Sequence, residues 1–404
     1  MIKLKTIKQR MVDVKAKDIF HIFLFVFAIP FALFWKIKYP NFWLVCEDKF
    51  EARDNGFAFF KYMVTNHFKQ EIFYAIDKKS SDYEKVNKIG KTISYGTFIH
   101  WIYYLSASKN ISSQKSGKPN AAVCYLLEVS GFLNNNRIYL KHGIIKDDMK
   151  WLYYKNTKMS LFICGAKPEY DFVKEKYGYP ENVIKYTGLA RFDNLHTNKT
   201  IKNLIVVMPT WRNWFYLKSK NQGGILPEVS ESQYIKRWNS FIQSPYLKEI
   251  LNKYDLQLLF YPHRNMQPYL KLFKNSNSRI KIASRNVYDV QDLLCKAAVL
   301  ITDYSSVFFD VIYMKKPVLF YQFDEEEFRK RQYPQGYFDY KNNPFSNRFL
   351  KEEDVLKMLE EYVKGNFVVS KQFISAHKEF FPYYDTKNCE RIYKAICNLY
   401  VEKY

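Results

Sequence analysis

At 404 residues the chain is too long for one simple core and suits two domains. Its apolar content of 48% excludes a disordered chain, and a net charge of +23 points to anionic partners: nucleic acid, an acidic membrane surface or phosphorylated substrates. It has no recognisable nucleic-acid module and no zinc-type Cys/His spacing, so no nucleic acid and no metal are expected.

The first 17 residues carry Lys3, Lys5, Lys8, Arg10, Lys15 and Lys17, and residues 19–35 follow as an uncharged apolar run. A basic lead before an apolar run has the outline of a secretory signal, but no small-residue cleavage site follows. Seventeen helical residues span about 26 Å, short of a hydrocarbon core of roughly 30 Å. Pro30 is expected to kink the segment. Both flanks are basic, which favours keeping both ends on the cytoplasmic side. The expectation is a segment lying on the cytoplasmic membrane surface without crossing it, its lysines attracted to anionic lipid. A single span and a buried core helix are the alternatives.

The globular part starts near residue 41. Strands are predicted over 42–47, 71–76 and 91–96, with a helix after Asp54 and Asn55 that ends near His67 and another over 98–109. Residues 110–120 read as a loop or the edge of one. Strands follow over 137–143, 160–166 and 183–189. After a polar break at 198–203, strands are predicted over 204–210, 256–263, 279–284, 298–306 and 317–323, with a helix over 231–254. Alternating strands and helices argue for βαβ units and parallel sheets. The predicted organisation is a membrane-associating segment (1–40), an acceptor-side domain (41–200), a nucleotide-binding domain (201–380) and a C-terminal helix (381–404) free to pack back on the first domain. The six cysteines are scattered and several lie in apolar runs, so they read as reduced thiols of a cytosolic protein.

The stretch 300–324, LITDYSSVFFDVIYMKKPVLFYQFD, organises the second half. An apolar strand runs into Thr302, Asp303, Ser305 and Ser306, which are capping residue types, then into a helical pattern over 307–316 that Pro317 stops. Free backbone N–H groups and a helix dipole at such a turn bind phosphate, and an ordinary N-cap is the other reading.

TDYSSVFFD followed by KKPVLFYQFD resembles the signature of the CDP-glycerol glycerophosphotransferases, the primases and polymerases of wall teichoic acid and related phosphopolymers. EARDNGFAFFKYM (from 51), YLKHGIIKDD (from 139), GLARFDNL (from 188), MPTWR (from 208) and YPHRNMQPY (from 261) match the same family in order. The resemblance covers about 41–400. It implies an α/β fold of two Rossmann-like domains facing a cleft, the glycosyltransferase-B arrangement.

His142 follows an apolar strand, where α/β proteins place ligand-binding residues, and an imidazole there suits a general base. A loop histidine with a structural hydrogen bond is the other reading, and the resemblance favours the base. His263, with Arg264 beside it, reads as a donor-diphosphate contact or as a polar loop. Arg212 reads as a bidentate phosphate ligand or as a salt bridge at a strand end. Asp303 is expected to bond to turn backbone or to a nearby arginine, since it would repel phosphate. Asp310 reads as a contact to a ribose hydroxyl or as a support for such a contact. Arg53, Asp54, Asn55, Arg191 and Asp193 read as salt-bridge residues between elements.

The resemblance implies transfer of phosphoglycerol from CDP-glycerol to a hydroxyl of a lipid-linked glycan or polymer, with His142 taking the proton and CMP leaving. Arg212, His263, Thr302, Asp303, Ser305, Ser306 and Asp310 would contact the donor. No cofactor is expected. A CDP-ribitol or other CDP-polyol transferase, a sugar-nucleotide glycosyltransferase and a non-enzymatic membrane-surface protein are the alternatives.

Overall fold

The computed structural model describes residues 16–133, 135–196, 199–215, 227–285 and 287–400. Lys3, Lys5, Lys8, Arg10 and Lys15 lie outside the described residues, as do positions 197 and 198, the latter the first of the predicted break at 198–203. The chain forms two compact units. The first holds residues up to 144, 150–193 and 385–404, and the second holds 145–149 and 194–384.

The first unit opens with a 23-residue helix, α1 (Ala16–Lys38). Its strands are β1 (Trp43–Val45), β2 (Ile72–Ile76), β3 (Thr92–Ser94), β4 (Lys109–Ser112), β5 (Arg137–Tyr139), β6 (Leu161–Cys164) and β7 (Ile184–Tyr186). They make a parallel sheet in the order β3-β2-β1-β4-β5-β6-β7. The helices used below are α2 (Asn55–Asn66), α3 (Tyr83–Asn87), α4 (Phe98–Ser106) and α5 (Ala121–Ser130). Asp54 starts α2 by accepting the N–H of Asn55, and Phe59, Phe60 and Met63 then bury one face of the helix against β1 and β2.

β4 departs from the sequence reading, which ended a helix at 109 and left 110–120 as loop. Its sequence is KNIS, with one apolar residue, yet it lies inside the sheet between β1 and β5. Asn110 compensates for its burial by donating to Tyr104 O at 3.0 Å. Pairing on both sides outweighs the poor strand propensity of Lys, Asn and Ser.

α1 is also longer than its apolar run, at about 34 Å for 23 residues. Pro30 sits inside it without ending it. By length and composition it is long and apolar enough to cross a membrane. One face packs on the domain: Ala28 and Ala32 are buried, Phe31 meets Phe98, Trp35 meets Tyr103, and Asn120 donates to Asp18 at 2.8 Å. The other face leaves Phe20, Phe23, Phe27 and Phe34 between 59% and 65% exposed.

The second unit is a six-stranded parallel sheet in the order β10-β9-β8-β11-β12-β13. The strands are β8 (Leu204–Met208), β9 (Gln257–Phe260), β10 (Ile280–Ile282), β11 (Val299–Thr302), β12 (Val318–Tyr321) and the short β13 (Arg348–Phe349). β11 and β12 are buried at every position, as befits central parallel strands covered on both faces. The helix predicted over 231–254 is two helices, Gln233–Gln243 and Pro245–Lys253. Ser244 between them is extended (ψ 127°) because the residue before proline is pushed out of the helical region. After β11 the helix is only α6 (Phe308–Tyr313), shorter than the predicted 307–316. The last helix, α7 (Asn388–Cys397), belongs to the first unit, where Cys389, Ile392 and Ile396 join the core around Trp43 and Phe59. The six cysteines are free thiols, five of them buried.

Candidate active site

Beyond β5 the chain reaches Lys141 in a left-handed conformation (φ 64°) that non-glycine residues seldom adopt. Two anchors hold it there. The Lys141 ammonium is paired with buried Glu169, and the Lys141 carbonyl accepts Asn55 Nδ2 at 2.8 Å. The next residue, His142, is turned outward, with its side chain 68% exposed. Its Nδ1 lies 2.5 Å from Asp54 Oδ2.

Asp54 is fixed from three sides. Its other oxygen accepts Asn55 N at 2.8 Å and Arg191 Nη1 at 2.9 Å. Arg191 Nη1 also donates to the carbonyl of His142 at 2.7 Å, and Arg191 N donates to Asn55 Oδ1 at 3.0 Å. Burial alone would raise the Asp54 carboxyl, but the charge and hydrogen bond of His142 and the Arg191 guanidinium hold it below the usual carboxylate range. Beneath it lies Glu47, 1% exposed. Glu47 accepts the N–H groups of Arg53 (3.0 Å), Asp54 (3.3 Å) and Phe57 (2.7 Å) at the start of α2. Burial and the neighbouring Asp54 charge push it up to about 7. A Cβ on Gly56 would stand 2.7 Å from Glu47 Cγ, so only glycine fits there beside the carboxyl.

The sequence singles out His142 as a candidate base but not its partner. Asp54 and Arg191 were read as links between elements, whereas they hold the ring and the backbone of the candidate base. With Nδ1–H donated to Asp54, Nε2 keeps a free lone pair. The signal lay in the EARDN and GLARFD stretches, but their convergence on KHG shows only in three dimensions.

In the second unit Arg212 is fully buried. Nε and Nη2 donate to Asp324 at 2.8 and 3.0 Å, Nη2 also to Asp303 at 2.9 Å, and Nη1 to Thr210 O at 2.8 Å. Burial opposes its charge, yet Asp324 and Asp303 outweigh that and hold the guanidinium above its ordinary range. One arginine between two carboxylates offers phosphate no net positive charge. The expectation of a phosphate ligand is therefore corrected to the ion-pair reading.

Asp303 in turn accepts Thr210 N (2.7 Å) and Tyr304 N (2.6 Å), so it ties the turn after β11 to the turn after β8. Thr302 is likewise corrected: it is buried, and its hydroxyl donates to Met208 O at 2.7 Å across the sheet. Asp310 is only 2% exposed, so a direct ribose contact is corrected to a buried role in α6. Ser305 and Ser306 are half-buried. No side chain caps α6, and Ser305 Oγ accepts Val307 N only at 3.5 Å, so neither hydroxyl is tied up in a strong cap. His263 starts a 3₁₀ helix (Arg264–Leu272), accepts Asn265 N at 3.2 Å and stacks on Trp211 at 5.9 Å. His263, Ser305 and Ser306 all follow carboxyl ends of strands of one sheet, the rim where such sheets bind ligands.

Residues 28–398 match the model of the CDP-glycerol:poly(glycerophosphate) glycerophosphotransferase family. The chain belongs to that family. Among curated relatives of this glycerophosphotransferase-family chain is the minor teichoic acid biosynthesis protein GgaB of Bacillus subtilis, 32% identical over 363 residues, which are 88% of this chain and 40% of GgaB. The teichoic acid poly(glycerol phosphate) polymerase of Bacillus spizizenii is 24% identical over 305 residues, covering 68% of this chain and 72% of that protein. The chain thus spans well under half of GgaB and about seven-tenths of the polymerase. In fold it is similar to the wall teichoic acid polymerase TagF, with a TM-score of 0.62 at 16% identity over 89% of each chain. One TagF structure was obtained after a soak with CDPG. Two parallel-sheet α/β domains are common to both.

Proposed function

We propose that the chain transfers phosphoglycerol from CDP-glycerol to a hydroxyl of a lipid-linked glycan or poly(glycerol phosphate) acceptor. The observation that carries this reading is the outward-facing His142 held at Nδ1 by Asp54 in a chain of this family. The acceptor hydroxyl attacks the phosphorus that bears glycerol. A new P–O bond forms, the bond from that phosphorus to the bridging oxygen breaks, and CMP leaves with its electron pair. The hydroxyl proton passes to His142 Nε2, and Asp54 stabilises the imidazolium that results. Phosphoryl transfer needs position and donors more than covalent chemistry. On the second unit His263, Ser305 and Ser306 are the groups read as meeting the diphosphate.

The same reading puts the protein on the cytoplasmic membrane surface, where CDP-linked donors and free thiols belong. α1 supports it, with one face docked on its own domain and a row of phenylalanines turned outward. Such a helix lies in the interface with its apolar face in lipid.

The test offers CDP-glycerol, CDP-ribitol and a sugar nucleotide to the purified protein with a lipid-linked acceptor and follows nucleotide release. CMP release with CDP-glycerol that falls about 10²–10⁴-fold in His142→Ala is the expected outcome. UDP release, or full turnover by the variant, would overturn the reading.

A further inference from the structure

The open edge of the first sheet carries a shallow, open groove of about 650 Å³. It runs beside β3. Its polar lining includes Lys78, Lys91, Tyr83, Asn87, Thr92 and Thr97, and no carboxylate lines it. Lys91 precedes β3 and Lys78 follows β2, so in this parallel pair the two ammonium groups lie toward opposite ends of the groove. Both lysines are exposed. Lys91 is paired with Glu71 at 2.6 Å, outside the groove lining, which leaves Lys78 as the stronger local charge.

Two apolar residues give the groove a direction. Ile99, half exposed, lies in α4, the helix on which α1 packs. Phe73 meets Tyr103 of α4, and Tyr103 meets Trp35 of α1. One side of the groove therefore leads toward the helix with the exposed phenylalanines. At the other extreme, β3 and β5 are four strand positions apart in a parallel sheet. Lys78, Thr97 and His142 thus follow carboxyl ends along one rim, with about 19 Å between the outer strands by strand spacing.

We propose that this groove binds the phosphodiester backbone of the acceptor chain, several repeats behind the hydroxyl offered to His142. The proposal rests on the transfer reaction above and adds where the acceptor's body lies. The Lys78 ammonium suits a phosphate of the chain, and Lys91 at the other end, already paired with Glu71, is the weaker contact. Amide and hydroxyl groups between them suit polyol hydroxyls, and the absence of lining carboxylates avoids repulsion of an anionic polymer. The apolar side suits an acceptor that is anchored in lipid.

The experiment compares synthetic glycerol phosphate oligomers of two and ten units as acceptors with CDP-glycerol. It reads the ratio of kcat/KM for the long oligomer over the short one. In the parent this ratio should exceed one, and in Lys78→Glu it should fall roughly fivefold, the scale of an exposed charge contact. Lys91→Ala should lower it less. Binding of a fluorescent ten-unit oligomer is read in parallel by polarisation, with inorganic phosphate at the same phosphate concentration as competitor. Weaker oligomer binding in Lys78→Glu, with poor competition by phosphate, supports a chain-binding groove even where turnover is absent. If the parent releases no CMP from CDP-glycerol, the transfer reading fails and the binding result alone decides the groove. An unchanged length ratio together with unchanged oligomer binding in Lys78→Glu would overturn the groove, as would equally strong competition by phosphate.

Discussion

The candidate base depends on a carboxylate 88 residues away in sequence, which explains why the residue was legible and its support was not. A histidine after an apolar strand has a local signature, whereas a hydrogen bond between two loops has none. Asp54→Asn should leave the fold intact but disturb the tautomer of His142, and transfer should fall by about 10²–10⁴. Calorimetry with CDP-glycerol should show little change, because Asp54 lies in the unit that does not carry the residues read as donor contacts. A variant with parental turnover would remove Asp54 from the mechanism. Arg212→Lys belongs to stability instead. A lysine keeps the charge but cannot fork between Asp303 and Asp324, and each buried carboxylate oxygen left without its donor costs about 1–3 kcal/mol. Its melting temperature should drop clearly, with the donor KM rising as the turn before Ser305 loosens. Glu47 sets a pH dependence. It keeps its proton to about pH 7 when folded but ionises near 4.5 when unfolded. The folded state therefore binds the extra proton, and this group's stability contribution declines as pH rises across that window. Asp54, held low, works in the opposite sense and loses its contribution only as pH falls through its folded value. Glu47→Gln should flatten the melting temperature between pH 5 and 7, and an unchanged slope would assign it to other groups.

Among the elements, the apolar strands were plain in the sequence because buried parallel strands need continuous apolar runs. β4 was hidden because its neighbours, not its residues, make it a strand. α6 was overestimated because capping residue types before an apolar run look alike whether or not they cap. Ser305→Ala should therefore change stability by less than the 0.5–2 kcal/mol of a true N-cap. Both Ser305→Ala and Ser306→Ala should instead raise the donor KM, and a drop in melting temperature with no change in KM would restore the cap reading. The outward face of α1 gives a separate test. Replacing Phe23 and Phe27 by Glu leaves the packed face at Ala28 and Ala32 untouched. The double variant should pass from the membrane fraction to the soluble fraction in low salt. If it stays membrane-bound through an alkaline carbonate wash, α1 is inserted across the bilayer and not laid on it.

For the whole molecule, the α/β class could be read from strand–helix alternation and the family from six ordered motifs, but the partition of the chain only in part. A break near residue 200 with a C-terminal helix free to pack back on the first domain anticipates the return at 384/385 but not the excursion of 145–149 into the second unit. The chain in fact passes between its two units four times, at 144/145, 149/150, 193/194 and 384/385. Short-range patterns mark α7 as amphipathic, with Cys389, Ile392 and Ile396 on its buried face, but do not give the contacts that hold it. Its place is set by Asp193, whose carboxylate accepts the N–H groups of Asn388 (2.8 Å) and Cys389 (2.9 Å) across 195 residues or more. That closure has a bearing on synthesis. Domains made on the ribosome commonly fold in the order in which they emerge, at about 5–20 residues per second. Here the first unit waits for its last helix while the whole second unit is translated, about 10–40 s at that rate. Through that interval Trp43 and Phe59 lack the cover of Ile392 and Ile396. Released chains that end at residue 384 should accordingly show a protease-resistant second unit beside a first unit still open to cleavage and to chaperones.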